Sequence, residues 1–233
     1  MAVPASDHLP EPTLTGGGRK VRILLVRHGR QSDARCNVDV GLSAAGRQQA
    51  DLAGGRLAGE RVNLVVSSDM IRARETAQIL NAHVAAPSRE IAALRELDFG
   101  EMEGLTDDEI DTRFSEFKTL QARGDRDLHY PGGESASDVL ERALAALEAL
   151  ADGGFDTVAI ATHGVVIRVL AAHALGAPAH RWRAVARSLE NGSITELRYD
   201  THTHTLSLER LNDYAHLEAN PELLRAAWGV REN

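Results

Sequence analysis

The stretch Val21-Arg22-Ile23-Leu24-Leu25-Val26 runs into Arg27-His28-Gly29, and Thr157-Val158-Ala159-Ile160-Ala161 runs into Thr162-His163-Gly164 in the same way. Each is a short apolar run followed by a helical pattern, which is typical of a buried central strand in a parallel sheet. Ligands bind at the carboxyl ends of such strands. We therefore expect His28 and His163 to lie at one site.

The segments between and after these two runs alternate between helical and strand patterns, which predicts an α/β protein with a mostly parallel sheet. Helix starts are marked by N-cap residues, and helix ends by glycine. The predicted elements are a helix opened by Leu42-Ser43 and ended near Gly59, a strand over 62–66, a helix from Met70 to Ala82 capped by Ser67-Ser68-Asp69, a helix from Ser135 to Gly153, a helix over 165–175, and an edge hairpin over 193–199 and 205–211.

Composition and charge exclude several classes of partner. The formal net charge of -8 argues against nucleic-acid binding through a general basic surface. No apolar run approaches the roughly 18 to 20 residues that span a bilayer, so we expect no membrane partner. Cys36 is the single cysteine, which excludes an internal disulfide and fits a reducing, cytoplasmic location.

The 233 residues are enough for one large α/β domain with a full core. We interpret residues 1–20, which contain three prolines and Gly16-Gly17-Gly18, as a flexible tail, and residues 21–233 as one domain. Between about residues 92 and 133 no clear periodicity is present, and charges of both signs alternate with glycines. A segment this long is more often a lid or binding loop, so about 101–133 is predicted to be an insertion that covers the substrate.

Four side chains are expected at the carboxyl ends of the predicted strands: Arg27, His28, Arg72 and His163. Guanidinium is planar, permanently charged and matched to phosphate geometry, and a helix start adds free backbone N–H groups. This combination predicts a site for phosphate or another tetrahedral anion. A neutral imidazole nitrogen can attack phosphorus, and we interpret His28 as that nucleophile because a rigid strand end holds its ring.

These residues resemble the motifs of the histidine phosphatase superfamily, the phosphoglycerate-mutase-like proteins, in its RHG-motif phosphatase branch. The match covers about residues 21 to 198, and several motifs in the expected order make coincidence improbable. The segments that carry it are Leu25-Val26-Arg27-His28-Gly29, Leu42 to Ala50, Ser67 to Ala77, Leu94 to Gly104, Gly132-Gly133-Glu134-Ser135 and Thr162-His163-Gly164.

The resemblance implies a three-layer α/β/α sandwich around a mostly parallel sheet, and a phosphoric monoester hydrolase of the histidine acid phosphatase type. By this resemblance His28 carries the phosphoryl group, and Glu96 protonates the leaving oxygen. The resemblance further implies that the phosphoryl oxygens are bound by the side chains of Arg27, Arg72 and His163 and by the backbone at the helix start, Gly164. Since these groups supply both charge and protons, no metal and no other cofactor is expected.

The sequence departs from the family pattern just after the RHG glycine. Arg30-Gln31-Ser32 stands where a Glu or Gln, a small residue and a phosphate-contacting Asn are usual, and the first Asn is Asn37. The extra phosphate contact is therefore assigned to Asn37 or Ser32, with Gln31 as a further alternative.

The leading hypothesis is a metal-independent phosphatase that acts on a small soluble phosphate ester. A cofactor-dependent phosphoglycerate mutase would use the same pocket, but the short segment 37–42 and Arg30 favour hydrolysis. A catalytically idle phosphate-binding or scaffold protein is the third reading, and the intact set of histidines, arginines and Glu96 weighs against it. The sequence leaves the substrate and the oligomeric state open, with a homodimer as one candidate.

A second anionic group on the substrate would require basic side chains that face the pocket. The candidates are Arg30, Arg35, Arg113, Lys118, Arg123 and Arg126, most of them in the insertion. Because acidic residues are interspersed among them, we expect a solvated face of mixed charge. His202-Thr203-His204 lacks the further ligands of a metal site, and Cys36 lacks the surroundings that activate a thiol.

Overall fold

The computed structural model describes residues 18–227. Residues 1–17 of the predicted tail lie outside this range. Within that range six strands form one sheet in the order β3-β2-β4-β1-β5-β6. The strands are β1 Lys20–Arg27, β2 Leu64–Ser67, β3 Ser88–Glu90, β4 Thr157–Thr162, β5 Ile194–Asp200 and β6 Thr205–Asp213. Only β5 pairs antiparallel with both of its neighbours, so the other five strands point the same way and the sheet is mostly parallel.

Seven α-helices and six short 3-10 helices occur in the same range. The α-helices are α1 Ala44–Leu57, α2 Ile71–Val84, α3 Asp107–Arg113, α4 Ser115–Arg123, α5 Ala136–Asp152, α6 Gly164–Ala174 and α7 Trp182–Val185. The 3-10 helices are Ala92–Leu94, Gly100–Met102, Ala179–Arg181, Ala215–Leu217, Pro221–Leu223 and Arg225–Ala227. In the described part of the chain, none of these helices combines the length and the apolar character of a membrane span.

The helices cover both faces of the sheet, as the alternation of side chains along β1 shows. Ile23 and Leu25 pack into a cluster with α5 and α6, whereas Leu24 and Val26 pack with α1 and α2 on the opposite face. All four side chains are almost completely buried. Each such burial contributes about 1.5–3 kcal/mol, so β1 is stabilised from both sides. The predicted three-layer α/β/α sandwich is confirmed.

The helix starts follow the sequence signals with one exception. Ser43 caps α1 by accepting from Gly46 N at 3.1 Å, and Ser135 with Asp138 forms the expected capping box of α5. The predicted cap of α2 at 67–69 is wrong, because α2 starts at Ile71 and its N-cap residue Met70 makes no side-chain cap bond.

The insertion is more ordered than its sequence predicts. It holds α3 and α4, neither of which has a buried residue, so their sequences lack the apolar stripe that would reveal them. Thr106 and Glu109 form a capping box at the start of α3, a signal that sequence reasoning overlooked. Phe117 contacts the buried Tyr130, with ring centroids 5.0 Å apart, so α4 is anchored at the edge of the core.

The loop after β1 is pressed against the first turn of α1. A Cβ on Gly29 would lie 2.2 Å from the Gly46 carbonyl oxygen, and a Cβ on Gly46 would lie 2.1 Å from the Arg30 carbonyl oxygen. Both neighbours are backbone atoms that cannot rotate away. These two glycines therefore let α1 hold the loop that carries His28.

We predict that Gly46→Ala destabilises the protein by about 1–3 kcal/mol, because the new methyl group forces the two backbones apart. Gly55→Ala on the same helix is the matched control, since a Cβ there has nothing within 4 Å. That variant should stabilise the protein by about 0.5–1 kcal/mol through helix propensity. Urea unfolding of both variants measures the difference, and equal effects would contradict the close-packing argument.

Candidate active site

The two histidines meet because β1 and β4 are neighbours. The strands pair in parallel with Arg27 opposite Thr162, and His28 N donates to the Thr162 carbonyl at 2.9 Å. The next residue on each strand is therefore a histidine at the same edge of the sheet. The ring centroids of His28 and His163 lie 5.1 Å apart at an interplanar angle of 54°, and both side chains are buried.

A hydrogen bond to the backbone determines which ring nitrogen of His28 carries the hydrogen. Nδ1 lies 2.7 Å from the Gly29 carbonyl oxygen, which can only accept, so Nδ1 carries the hydrogen and Nε2 of the neutral ring has a free lone pair. Burial first, and then the charges of Arg72 and Arg27, hold the pKa of His28 well below its usual value. The ring is therefore neutral at physiological pH and presents a nucleophilic nitrogen.

The two arginines are held by backbone and amide oxygens, and part of each guanidinium has no partner. Arg72 is 2% exposed and donates to Val38 O at 3.0 Å and to Asn37 Oδ1 at 2.6 Å. Arg27 donates to the Leu189 carbonyl, and burial lowers its pKa to about 9, with the charge of Arg225 adding to this. Nε of both Arg27 and Arg72 is buried without a partner in the described structure. An anion between them would satisfy these donors.

Of the three candidates for the extra phosphate contact, Asn37 is the one connected to the arginines. It adopts a left-handed backbone conformation with φ 47°, and its amide nitrogen donates to Glu103 Oε1 at 2.6 Å. Ser32 is exposed, and the Gln31 amide donates to the Asp33 carbonyl at 2.6 Å. The geometry therefore favours Asn37, acting on or beside Arg72.

Glu96 lies at the start of α6. Its carboxylate accepts from Leu97 N at 3.0 Å and from Val165 N at 3.1 Å. A Cβ on Gly164 would be 3.8 Å from Glu96 Oε2 and 3.6 Å from Arg27 Nε, so the glycine keeps the space beside these two groups open. Glu96 thus lies beside Arg27 and the start of α6, and its role as the acid stays a prediction.

The neighbouring acids of the same segment have other contacts. Asp98 accepts from Gly100 N at 2.7 Å, and Glu103 accepts from Asn37. Arg142 on α5 holds the whole segment in place, because it donates to the carbonyls of Ala93, Arg95 and Glu96 and forms a bidentate pair with Glu134. The sequence did not predict this role of Arg142, although the motif Gly132-Gly133-Glu134-Ser135 contains its partner Glu134.

His163 is oriented through one ring nitrogen. Nε2 lies 2.7 Å from Ser68 Oγ, and Nδ1 is buried without a partner in the described structure. Burial, followed by the charge of Arg72, holds the pKa of His163 well below its usual value. Two neutral imidazoles and two guanidiniums therefore surround one small volume, which contains unsatisfied buried donors.

A cleft of about 640 Å³ opens next to this centre, and Glu96 lies in its wall. Five of its lining residues are acidic and two are basic. The residues that line it are Asn37, Val38, Asp39, Met70, Ala92, Arg95, Glu96, Asp98, Glu103, Gly104, Glu134 and Arg142. None of the six basic candidates from the sequence, in the insertion or after the nucleophile, is among them.

Two other sequence features lie outside this centre. Burial raises the pKa of the Cys36 thiol to about 11, so the thiol is protonated and a poor nucleophile. His204 contacts the Tyr199 hydroxyl at 3.1 Å. Among residues 18–227, no group of three or more His, Cys, Asp or Glu side chains is arranged to hold a metal ion.

The chain is similar over most of its length to a curated relative and to solved structures. A "probable phosphoglycerate mutase GpmB" of Salmonella choleraesuis (strain SC-B67) is 30% identical over 210 residues, which cover 85% of this chain and 96% of the relative. The solved structure of a mycobacterial glucosyl-3-phosphoglycerate phosphatase is 31% identical, with a TM-score of 0.72 over 84% of this chain and 99% of that one. Bacillus stearothermophilus YhfR is 29% identical, with a TM-score of 0.75 over 85% and 100% of the two chains.

The family comparison covers most of the sheet and every residue of the candidate site. Residues 23–213 match the family model of the histidine phosphatase superfamily, branch 1. That range begins within β1 and ends at the last residue of β6. The chain therefore belongs to branch 1 of the histidine phosphatase superfamily.

Proposed function

We propose that this protein is a metal-independent phosphomonoesterase that hydrolyses a small soluble phosphate ester through a phosphohistidine at His28. The observation that carries the proposal is the 2.7 Å contact between His28 Nδ1 and the Gly29 carbonyl oxygen, which assigns the ring hydrogen to Nδ1 and the lone pair to Nε2. A buried neutral imidazole flanked by Arg27 and Arg72 is a nucleophile placed where a phosphate would bind.

In the first step, His28 Nε2 attacks phosphorus and the bond to the leaving oxygen breaks. Glu96, entering this step protonated, gives its proton to that oxygen. The phosphorylated ring gains positive charge, and its Nδ1–H bond to the Gly29 carbonyl then strengthens as a charge-assisted hydrogen bond. The products of this step are phospho-His28, an alcohol and the Glu96 carboxylate.

In the second step, the Glu96 carboxylate takes a proton from water while the water oxygen attacks phosphorus. The phosphorus–nitrogen bond breaks, inorganic phosphate leaves, and both His28 and protonated Glu96 are restored. Throughout, Arg27, Arg72 and His163 donate to the equatorial oxygens, where the charge of the transition state resides. The two guanidinium cations and the neutral imidazole donor supply the stabilisation that a metal ion supplies in other phosphatases.

Similarity to the probable phosphoglycerate mutase keeps a mutase as the second candidate. A mutase returns the phosphoryl group to a second hydroxyl of a carboxylated substrate, which calls for basic groups around the leaving group. In this protein the cleft beside Glu96 is mainly acidic, and its Arg142 is saturated by Glu134 and backbone carbonyls. This charge pattern favours hydrolysis of esters whose leaving group has no carboxylate.

The first prediction tests the enzyme class and the nucleophile together. Wild-type protein should hydrolyse para-nitrophenyl phosphate at the same rate with and without EDTA. His28→Asn should lower kcat by more than about 10³-fold and abolish the base-stable phosphoryl label on the protein. Cys36→Ser is the matched control and should keep full turnover.

Absence of turnover in the wild type at any pH would favour a phosphate-binding or scaffold protein. Loss of turnover on adding EDTA would contradict the metal-free mechanism. Interconversion of 2- and 3-phosphoglycerate faster than hydrolysis would favour the mutase.

The second prediction concerns Glu96 as the acid. Glu96→Gln should lower kcat for an alkyl phosphate by about 10²–10⁴-fold, the usual contribution of a general acid. The loss should be smaller when the hydrolysis releases para-nitrophenolate, which leaves without a proton. Glu101→Gln, an exposed side chain in the same segment, is the control. Equal losses with both substrates would assign Glu96 a role other than protonation of the leaving group.

The third prediction concerns the charge of the leaving group. Three substrates of similar size differ in charge: phosphoglycolate, ethyl phosphate and phosphoethanolamine. We expect kcat/KM for phosphoglycolate to be about tenfold below that for ethyl phosphate at low salt, with phosphoethanolamine at least as good as ethyl phosphate, because the cleft repels a second anion. Added salt should shrink the difference.

A pair of variants locates this effect. Asp98→Asn keeps an oxygen for Gly100 N but removes one charge from the cleft, so it should narrow the gap between the substrates. Glu209→Gln removes one charge from β6 at the far edge of the sheet and should leave the gap unchanged. Phosphoglycolate as the best of the three substrates would contradict the proposed preference.

A further inference from the structure

Ser68 is the residue that contacts the second histidine, and its position follows from the sheet. β2 and β4 are parallel neighbours with Ser67 opposite Ala161, and Ser68 N donates to the Ala161 carbonyl at 3.1 Å. Ser68 directly follows the end of β2, and His163 directly follows Thr162 at the end of β4, so the two residues come together at the same edge of the sheet. Ser68 Oγ lies 2.7 Å from His163 Nε2, and both side chains have no exposed surface.

The hydrogen-bonding capacity of Ser68 distinguishes the two tautomers of His163. A serine hydroxyl has one hydrogen to donate and two lone pairs that accept. Met70 N approaches Ser68 Oγ at 3.4 Å as a donor, and in the described structure the hydroxyl makes one other hydrogen bond, to His163 Nε2. If Nε2 carried the hydrogen, the buried hydroxyl would receive two donors and have no acceptor for its own hydrogen.

The opposite tautomer satisfies every group at this contact. When the Ser68 hydroxyl donates to Nε2, its lone pair remains available to Met70 N and the His163 hydrogen resides on Nδ1. That atom is the ring's one remaining polar position, and it is buried without a partner in the described structure. An N–H at this place is a donor ready for a phosphoryl oxygen, whereas a bare lone pair there would repel the same oxygen.

We propose that Ser68 is a positioning residue, which fixes neutral His163 as the Nδ1–H tautomer so that it donates a hydrogen bond to the phosphoryl oxygens. The assignment rests on the proposed function for the identity of the ligand, but the tautomer itself is a property of the unliganded protein. Burial beside Arg72 keeps the His163 ring uncharged, so the ring has one hydrogen only and its location decides whether the ring attracts or repels phosphate.

The first measurement is the tautomer itself. In protein labelled with ¹⁵N at the histidine ring nitrogens, the two-bond proton–nitrogen spectrum identifies which nitrogen of His163 carries the hydrogen. We expect the Nδ1–H form in the wild type, and a shift of the Nδ1 signal when orthovanadate is added. An Nε2–H ring in the wild type would overturn the proposal, and this measurement needs no turnover.

The second measurement compares Ser68→Ala with Ser67→Ala. Both substitutions remove one buried hydroxyl at the end of the same strand, but only the first removes the donor to His163. Ser68→Ala should populate the Nε2–H tautomer and lower kcat by roughly tenfold to a hundredfold, below the loss of a whole oxyanion donor. Ser67→Ala should change neither the tautomer nor kcat by more than about twofold.

A double variant separates positioning from a general structural effect. In a His163→Ala background, Ser68→Ala should cause no further loss of kcat, because the residue on which it acts is missing. Losses that multiply in the double variant, or an unchanged tautomer in Ser68→Ala with full activity, would overturn the proposal. A wild type that shows the Nδ1–H tautomer and no phosphatase activity would contradict the proposed function and not the assignment of Ser68.

Discussion

The parallel pairing of β1 with β4 is the constraint on which the rest of the site depends. Its register places Arg27 opposite Thr162, so the chain delivers two histidines to one edge, and the buried alternation of β1 fixes that register from both faces. A slip by one residue would move every side chain of the strand to the other face of the sheet. The core therefore holds the two histidines in position, as the proposed catalytic roles require.

Burying positive charges and unpaired donors at this edge of the sheet costs free energy in the protein alone, whereas the same groups stabilise a bound anion. Two guanidiniums and two imidazoles share a buried volume, and burial first, then neighbouring positive charges, lowers the pKa of both histidines and of Arg27. The protein offsets part of this repulsion with acceptors: carbonyls at Val38 and Leu189, and the amide oxygen of Asn37. In the proposed function, the nitrogen atoms that remain unpaired, Nε of Arg27 and Arg72 and Nδ1 of His163, are those that a phosphate would use. Binding of a dianion and stabilisation of a charged transition state thus draw on the same pre-organised groups.

The sequence was sufficient for those parts of the fold that depend on local patterns. Continuous apolar runs identified β1 and β4, and capping residues identified the starts of α1 and α5. It was insufficient for β3, which has three residues, all exposed, and for α3 and α4, which bury no residue. Periodicity reports burial on one face, so an exposed strand, or a short helix with only a few partly buried side chains such as Ile110 and Phe117, gives too weak a period to detect.

For the candidate site, the sequence was informative about residues that follow strands and silent about those that support them. His28 and His163 could be placed together because strand ends meet in a parallel sheet. Ser68 was interpreted as a helix cap, since a serine before a helix usually has that function, and only the packing of β2 against β4 redirects its hydroxyl to His163. Arg142 looks like a surface charge of α5 until its contacts with three carbonyls 46 to 49 residues away are known.

The site has two parts, one built into the core and one held against it by supporting residues such as Arg142, and the second part can tolerate more changes of sequence. The part that holds the two histidines and Arg72 is built from the ends of β1, β2 and β4 and from the first turns of the helices that follow, so it is continuous with the core. The cleft beside Glu96 is built mainly from the segment 92–104 and from Asp39 and Glu134, which Arg142 and the loop hydrogen bonds hold against the sheet without being part of it. Under the proposed function, charges in the cleft can change, and with them the preferred leaving group, while the groups proposed to transfer the phosphoryl group stay in place.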